Sequence, residues 1–427
     1  RGTTSYNNRG LIMKIRELKI RNFRGIDKMD IELNNQLNVF CGINGAGKST
    51  ILDSIAIQLS WIIARIRTGK GSGRPIGEYN IKNGENFSKV EMLIEDNNNS
   101  YTGILAKNRK GRLSHERSNM NEFSNYAKSI QQDITISNEI VSIPVFIYYR
   151  TNRVVSDIPL RIRGKHEFNL LETYDNSLGT GVTFRSFFEW YRNREDLENE
   201  QYREDNYFKG DPQLQTVKTA VKALSDFENI SVKRNPLRME VMKKNEKLSV
   251  EQLSDGEKCL FAMAGDLGRR LSIANPTLSN PLEGEGIILI DEIDLHLHPQ
   301  WQKMIIPKLL GTFPNIQFIV STHSPQVLSE VEGDKIFALY QTDYNGIDLF
   351  KVKQAKGLNS SEILEIVMET SPLNSGVKKH LDKIFDAIDN EKFGLAKKSM
   401  REFERKYGSV PDLVRAETLI TLYSEKE

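Results

Sequence analysis

Between the strand-like pair Leu37 and Val39 and the run Ile51, Ile55, Leu59, Ile62 and Ile66, spaced by four, four, three and four, lies Gly42-Ile43-Asn44-Gly45-Ala46-Gly47-Lys48-Ser49. Strand, glycine-rich turn and amphipathic helix in that order constrain the chain more than any other feature. The glycines let successive backbone N–H groups curl around a phosphate, and the helix that follows adds its positive end. Lys48 reaches the β- and γ-phosphates, and the Ser49 hydroxyl suits Mg²⁺. Asn44, Gly45, Ala46, Gly47, Lys48, Ser49 and Thr50 are therefore candidate nucleotide-binding residues.

Further along, Ile287 to Ile290 is a continuous apolar run ending in Asp291-Glu292. A strand covered on both faces delivers such acids to the sheet's C-terminal edge, Asp291 to the metal and Glu292 to the attacking water. Leu253-Ser254-Asp255-Gly256-Glu257 places Asp255 36 residues before Asp291. On its own residues, this turn reads as a helix N-cap with Glu257 as the capping-box partner of Ser254. After another apolar strand, Ile316 to Val320, comes Ser321-Thr322-His323-Ser324, with His323 31 residues past Glu292.

These segments, in this order, resemble the ATPases of the ABC, SMC and RecF group. The resemblance implies an α/β P-loop NTPase of that type, with a mixed sheet, a small antiparallel lobe, a helical insert and a helical C-terminal region. It implies ATP and Mg²⁺ as cofactors, catalytic roles for Glu292 and His323, and Asp291 beside Ser49 at the metal. It further implies that Ser254, Asp255, Gly256 and Glu257 complete the nucleotide site of a second copy. Leu295-His296-Leu297-His298-Pro299 occupies the D-loop position; its histidines lack a third metal ligand of suitable spacing. The glutamine of the Q-loop is not evident. After strand Ile143 to Tyr149 the candidate is Arg150-Thr151-Asn152-Arg153, with Asn152 where glutamine is usual. Arg24, in Asn22-Phe23-Arg24-Gly25, matches the basic residue near the start of RecF-like heads and is expected at phosphate; an exposed strand-end arginine reads equally well.

Composition narrows the setting. Lys+Arg at 59 against Asp+Glu at 57 leaves +2, so no global field recruits nucleic acid. Local basic clusters at Arg65 to Arg74 and at Lys107, Arg109, Lys110 and Arg112 keep nucleic-acid contact open. Two cysteines exclude a disulfide scaffold, and no apolar run approaches the ~20 residues of a membrane span. A cytoplasmic location without membrane contact is expected. The expected organisation is an expression remnant or disordered extension over 1–12, then a head lobe with the phosphate loop over 13–160. A helical insert follows over 161–236, a second head lobe with signature, acidic pair and histidine over 237–353, and a helical region over 354–427.

Long coiled-coil arms, a DxD cluster and a convincing HNH or HD site are all lacking. The whole layout, to Val410-Pro411-Asp412-Leu413 and beyond, looks like the PtuA family, ATPases of Septu anti-phage systems and related retron operons. That resemblance implies head-to-head dimers, a higher homo-oligomer, and nucleotide control of a separate HNH nuclease, PtuB. The alternative is a RecF-like repair or recombination ATPase acting without a nuclease.

Overall fold

Four strands of the protein are buried at every residue, which demands a covering layer on each face. The computed structural model describes residues 12–152, 169–179, 184–205, 208–341, 346–368 and 375–424. The chain opens with β1 (Lys14–Phe23), β2 (Ile26–Glu32), β3 (Leu37–Gly42) and α1 (Lys48–Arg67). Then come β4 (Phe87–Asp96), β5 (Asn99–Asn108), α2 (Asn121–Ile136) and β6 (Val145–Tyr149). Next are α3 (Phe184–Glu204), α4 (Pro212–Ser225), β7 (Glu228–Arg234), β8 (Leu237–Lys243), β9 (Glu246–Ser249) and α5 (Asp255–Ala274). The head closes with β10 (Gly286–Ile290), α6 (Pro299–Thr312), β11 (Ile316–Thr322), α7 (Pro325–Leu328), β12 (Ile336–Gln341) and β13 (Ile347–Lys351). Last come α8 (Ser360–Ile366), α9 (Ser375–Asp389), α10 (Phe393–Tyr407) and α11 (Pro411–Ser424).

The main sheet runs β13-β12-β3-β11-β10-β6. Its neighbours are parallel except β13, which pairs antiparallel with β12, so the sheet is mixed. The fully buried strands are β3, β6, β10 and β11. A second, antiparallel sheet runs β2-β1-β4-β5. Its β4–β5 hairpin turns on Asn97 and Asn98, both at positive φ, the backbone that a two-residue turn of matching twist requires. Helix α1 packs between the two sheets, touching β3, β6, β10 and β11 on one side and β1 and β4 on the other. That position explains why it is apolar nearly all round and long enough to cross a bilayer, yet mostly buried in the head. Its buried Gln58 donates to Val90 O (2.7 Å) and Gly103 O (3.2 Å), closing the helix onto the hairpin.

Gln317 interrupts the apolar run of β11 for a reason. Its amide accepts from Ile15 N (2.8 Å) and donates to Ile15 O (2.9 Å) and Asn34 O (2.8 Å). Ile15 is where the β1–β4 register shifts, so the side chain pairs backbone groups that the ladder leaves out and joins one sheet to the other.

The stretch expected as a helical insert, 161–236, holds α3 and α4 but ends in strand, and residues 161–168 fall outside the described ones. Ile230 and Val232 of β7 are buried on one face while their flanks are exposed, and β7-β8-β9 form a third, antiparallel sheet. Residues 1–357 and 358–427 form two units. In the second, Leu381, Ile384 and Ile388 of α9 pack with Phe403 of α10 and Leu413 and Ile420 of α11 in a core of their own.

Helix α5 is anchored in the head by a buried charge cluster. Asp266 accepts from Tyr149 Oη (3.0 Å), Arg269 Nη2 (2.8 Å) and Arg270 Nε (2.8 Å). Arg270 also donates to Thr173 O (2.5 Å) and Asp175 O (3.0 Å). Burial alone would raise the Asp266 carboxyl, but Arg270 and Arg269 hold it at about 2. Asp266→Ala leaves buried guanidinium groups without their anion and should lower unfolding free energy by about 3–5 kcal/mol in urea titrations. Because the folded-state value is depressed, the wild-type stabilisation is complete above the ordinary carboxylate value. It should decline as pH falls from about 4 to about 2, a dependence the variant lacks.

Candidate nucleotide site

The turn after β3 is shaped by its glycines. Gly42, Gly45 and Gly47 all have positive φ, and a Cβ on Gly42 would sit 2.4 Å from Leu339 O. A Cβ on Gly45 would meet nothing within 4 Å, so the turn opens outward. Gly47 caps α1 without any side-chain hydrogen bond, and the first turn of α1 carries no acid. Its orphan amides are therefore available to an anion. Lys48 is buried, and its Nζ donates to Gly42 O (2.9 Å) and Ile43 O (3.0 Å). Burial holds its ammonium below the usual value, against the pull of Asp291, Glu292 and Asp294. Asn44, Gly45 and Ser49 are exposed, Thr50 is half-buried and Ala46 is buried.

The acidic pair stands beside this turn, held by hydroxyls of the next strand. Asp291 N donates to Tyr149 O (2.8 Å) on one side. On the other, Ser321 Oγ donates to Asp291 Oδ1 (2.5 Å) and accepts from Glu292 N (2.7 Å). Glu292 has φ of 49°, a left-handed conformation that costs a non-glycine residue about 1–3 kcal/mol and turns its half-buried carboxylate out of the strand direction. Thr322 Oγ1 (2.5 Å) and His323 N (3.3 Å) both donate to Asp294 Oδ1. Ser324 Oγ donates to Gln302 Oε1 (2.7 Å), and Gln302 Nε2 in turn donates to Leu297 O (2.9 Å). The His323 ring is half-buried. Burial, then Lys48, keeps it below its ordinary value despite Asp294, Glu292 and Asp291, so it is neutral at pH 7.

Ser254 starts α5 as the capping box expected from its residues. Ser254 N donates to Glu257 Oε2 (2.9 Å), Glu257 N to Ser254 Oγ (3.4 Å), and Lys243 pairs with Glu257. Asp255 is exposed, while Gly256 is pressed on the D-loop: a Cβ there would lie 2.2 Å from His296 O. In that loop His298 caps α6, its Nδ1 accepting from Gln300 N (3.4 Å), ahead of Pro299. A hollow of about 520 Å³ lies between signature turn and D-loop, walled by Trp301. Among the described residues no hydrogen bond or ion pair joins Ser254–Glu257 to Gly42–Thr50.

Arg24 has φ of 52°; its Nη1 pairs with Asp53 Oδ2 (2.7 Å) and its Nε donates to Asn80 Oδ1 (3.1 Å). Asn152 is exposed and ends its described segment. Several residues of the site carry no motif. Arg150 Nη2 meets the other oxygen of Asp53 at 2.6 Å and stacks over Tyr148, 4.4 Å from the ring centroid. Tyr148 Oη is buried and has no hydrogen-bond partner among the described residues, and burial, then Asp53 and Asp291, raise its ionisation well above the ordinary value. Asp53 follows Ser49 by four residues, which puts both on one face of α1, the spacing that could have signalled it.

A phosphate-shaped turn, a strand-end acid pair, a half-buried histidine and a separate signature turn on a mixed sheet define a P-loop ATPase head of the ABC and RecF type. Residues 37–329 match the family described as "AAA domain, putative AbiEii toxin, Type IV TA system", and the chain belongs to it. It is similar to "Retron Vc95 probable ATPase" of Vibrio cholerae serotype O1 biovar El Tor, at 32% identity over 84% of this chain and 79% of that one. It is also similar to "Retron Ec83 probable ATPase" of Escherichia coli, at 30% identity over 97% of this chain and 87% of that one. "Septu protein PtuA" of Bacillus thuringiensis matches at 27% identity over 89% of this chain and 91% of that one. The protein is an ATPase.

Gly256→Ala forces the signature turn and the D-loop apart, because the clash is with backbone. We expect a loss of about 1–3 kcal/mol in thermal unfolding. Amide exchange over 293–299 should quicken at least tenfold, with ATP affinity of the phosphate loop unchanged.

Proposed function

We propose that the protein is the ATP-reading subunit of an anti-phage defence complex. Two heads sandwich two ATP molecules, and their closure controls a partner HNH nuclease of the PtuB kind. One observation carries this reading: Ser254 and Asp255 at the start of α5 are exposed, and among the described residues no hydrogen bond or ion pair ties them to the phosphate loop. A second copy supplies what each half-site lacks.

In this reading Asn44 to Thr50 hold the phosphates of one ATP. Lys48 exchanges its loop carbonyls for the β- and γ-phosphates. Ser254, Asp255, Gly256 and Glu257 of the second copy close over the γ-phosphate with the N-terminal amides of α5. The exposed Ser49 hydroxyl and the Asp291 carboxylate, held by Ser321, are the hard oxygen donors that fit Mg²⁺, with Asn152 as a third. Bound Mg²⁺ neutralises charge on the phosphates. Glu292 accepts a proton from the attacking water, and neutral His323 donates to the γ-phosphate. Arg24 gives up part of its pairing with Asp53 to reach phosphate. The location is cytoplasmic, and dimers assemble into a higher homo-oligomer. Closure is driven by the affinity difference between open and closed heads, so slow turnover suffices.

Lys48→Ala should abolish ATP binding by calorimetry. Glu292→Gln should bind ATP, turn it over about 10²-fold or more slowly, and accumulate dimer in light scattering. Ser254→Arg should bind ATP yet remain monomeric. ATP-induced dimerisation that survives both Lys48→Ala and Ser254→Arg would sink the sandwich. Retained control of a co-expressed HNH protein by Lys48→Ala would sink the regulatory part.

A further inference from the structure

In the two basic clusters of the head, Arg65, Arg67 and Arg109 are tied to the chain itself. Arg109 donates to Glu85 O (2.8 Å) and Lys82 O (3.1 Å), Arg65 donates to Met120 O (3.2 Å), and Arg67 pairs with Asp175. Helix α10 is different. Its apolar residues Ala396 and Phe403, with Met400 and Tyr407, face the core shared with α9 and α11. Its outer face carries five cations, Lys397, Arg401 and Arg405 at i, i+4 and i+8 with Lys398 and Lys406 beside them, and two acids, Glu402 and Glu404. All seven are exposed, and all but Glu404 line an open hollow of about 890 Å³. Among the described residues, none of Lys397, Lys398, Arg401 and Arg405 makes an ion pair or hydrogen bond.

This stripe is local. The unit 358–427 carries 11 Lys and Arg against 13 Asp and Glu, so its general charge is slightly negative. The like pairs Lys397–Arg401 and Arg401–Arg405 at i, i+4 each cost roughly 0.2–0.5 kcal/mol, and the opposite pairs Lys398–Glu402 and Glu402–Lys406 offset them by a similar amount. An external polyanion removes the repulsion between the like pairs.

We propose that this face of α10 binds the phosphate backbone of a nucleic acid. The stripe from Lys397 to Arg405 is about 12 Å long at 1.5 Å per residue, against one charge per ~1.7 Å of duplex axis. Arg401 and Arg405 add planar forks that match phosphate. A membrane surface fits less well. The apolar face of α10 is enclosed in the bundle, and its exposed apolar side chain, Leu395, is no inserting face.

The test uses the full chain and fluorescein-labelled 40-mers, one duplex and one single strand, followed by anisotropy across a salt series. Lys397→Gln/Arg401→Gln/Arg405→Gln should weaken binding at least tenfold at 100 mM NaCl. It should also reduce the slope of log K against log salt by about 3 on duplex and about 2 on single strand. Its melting temperature should hold or rise, which separates lost contact from lost fold. Lys107→Gln/Lys110→Gln/Arg112→Gln should change affinity less than twofold. The proposal is overturned if wild type binds neither 40-mer, or if the α10 variant keeps affinity and slope. It is equally overturned if the head variant loses as much, or if polyglutamate of equal length or phosphatidylserine vesicles compete as well as the 40-mers.

Discussion

A single hydroxyl, Ser321 Oγ, fixes the chemical edge of the main sheet. By donating to Asp291 and accepting from Glu292 N, it sets where one carboxylate lies and how the backbone turns before the other. The left-handed Glu292 persists because both neighbours of β10 hold that turn: Tyr149 O takes the N–H of Asp291, and Ser321 O takes that of Ile293. Thr322 and Ser324 extend the same seam to Asp294 and, through Gln302, to the D-loop. The serine and threonine around His323 are thus the supports that orient the acids, and they place the histidine where burial, then Lys48, outweigh three carboxylates.

Those edge residues are useful only if β3, β10 and β11 keep register, and the layers provide that. Helix α1 is enclosed by two sheets, so the phosphate turn rests on a helix that cannot tilt without opening the core. Gln317 joins the sheets where β1 slips register, a buried amide with every polar group used. Removing its partners would expose the cost of burying it, which is why a polar residue stands mid-strand in β11.

The main layout was legible because its signals are local. Glycines between a strand and a helix and apolar runs ending in acids each declare their geometry within a few residues. The capping box of Ser254 and Glu257 was equally plain. What stayed hidden depends on contacts distant in sequence. Asp53 gains meaning only when Arg24 and Arg150, 29 and 97 residues away, close on it. Strand β7 was masked by its charged neighbours, since its two buried residues need the partner strand β8 to be recognised. The ties of Arg65 and Arg109 in the basic head clusters run to backbone carbonyls, which side-chain chemistry does not reveal.

Strand β6 connects the two functional halves of one head. Three consecutive residues do it, two of them opposed by the alternation of a strand. Tyr149 points to Asp266 and so holds α5, the helix whose first turn is the signature. Arg150 points to Asp53 and so holds α1, the helix whose first turn is the phosphate loop. Tyr148 lies under Arg150, its hydroxyl without a hydrogen-bond partner among the described residues and within the field of Asp53 and Asp291. Under the proposed function, ATP that draws Arg24 toward phosphate weakens one of the two pairs on Asp53 and leaves Arg150 the other. Tyr149 and Arg150 thus tie α5 and α1 to one segment of the chain by side-chain bonds.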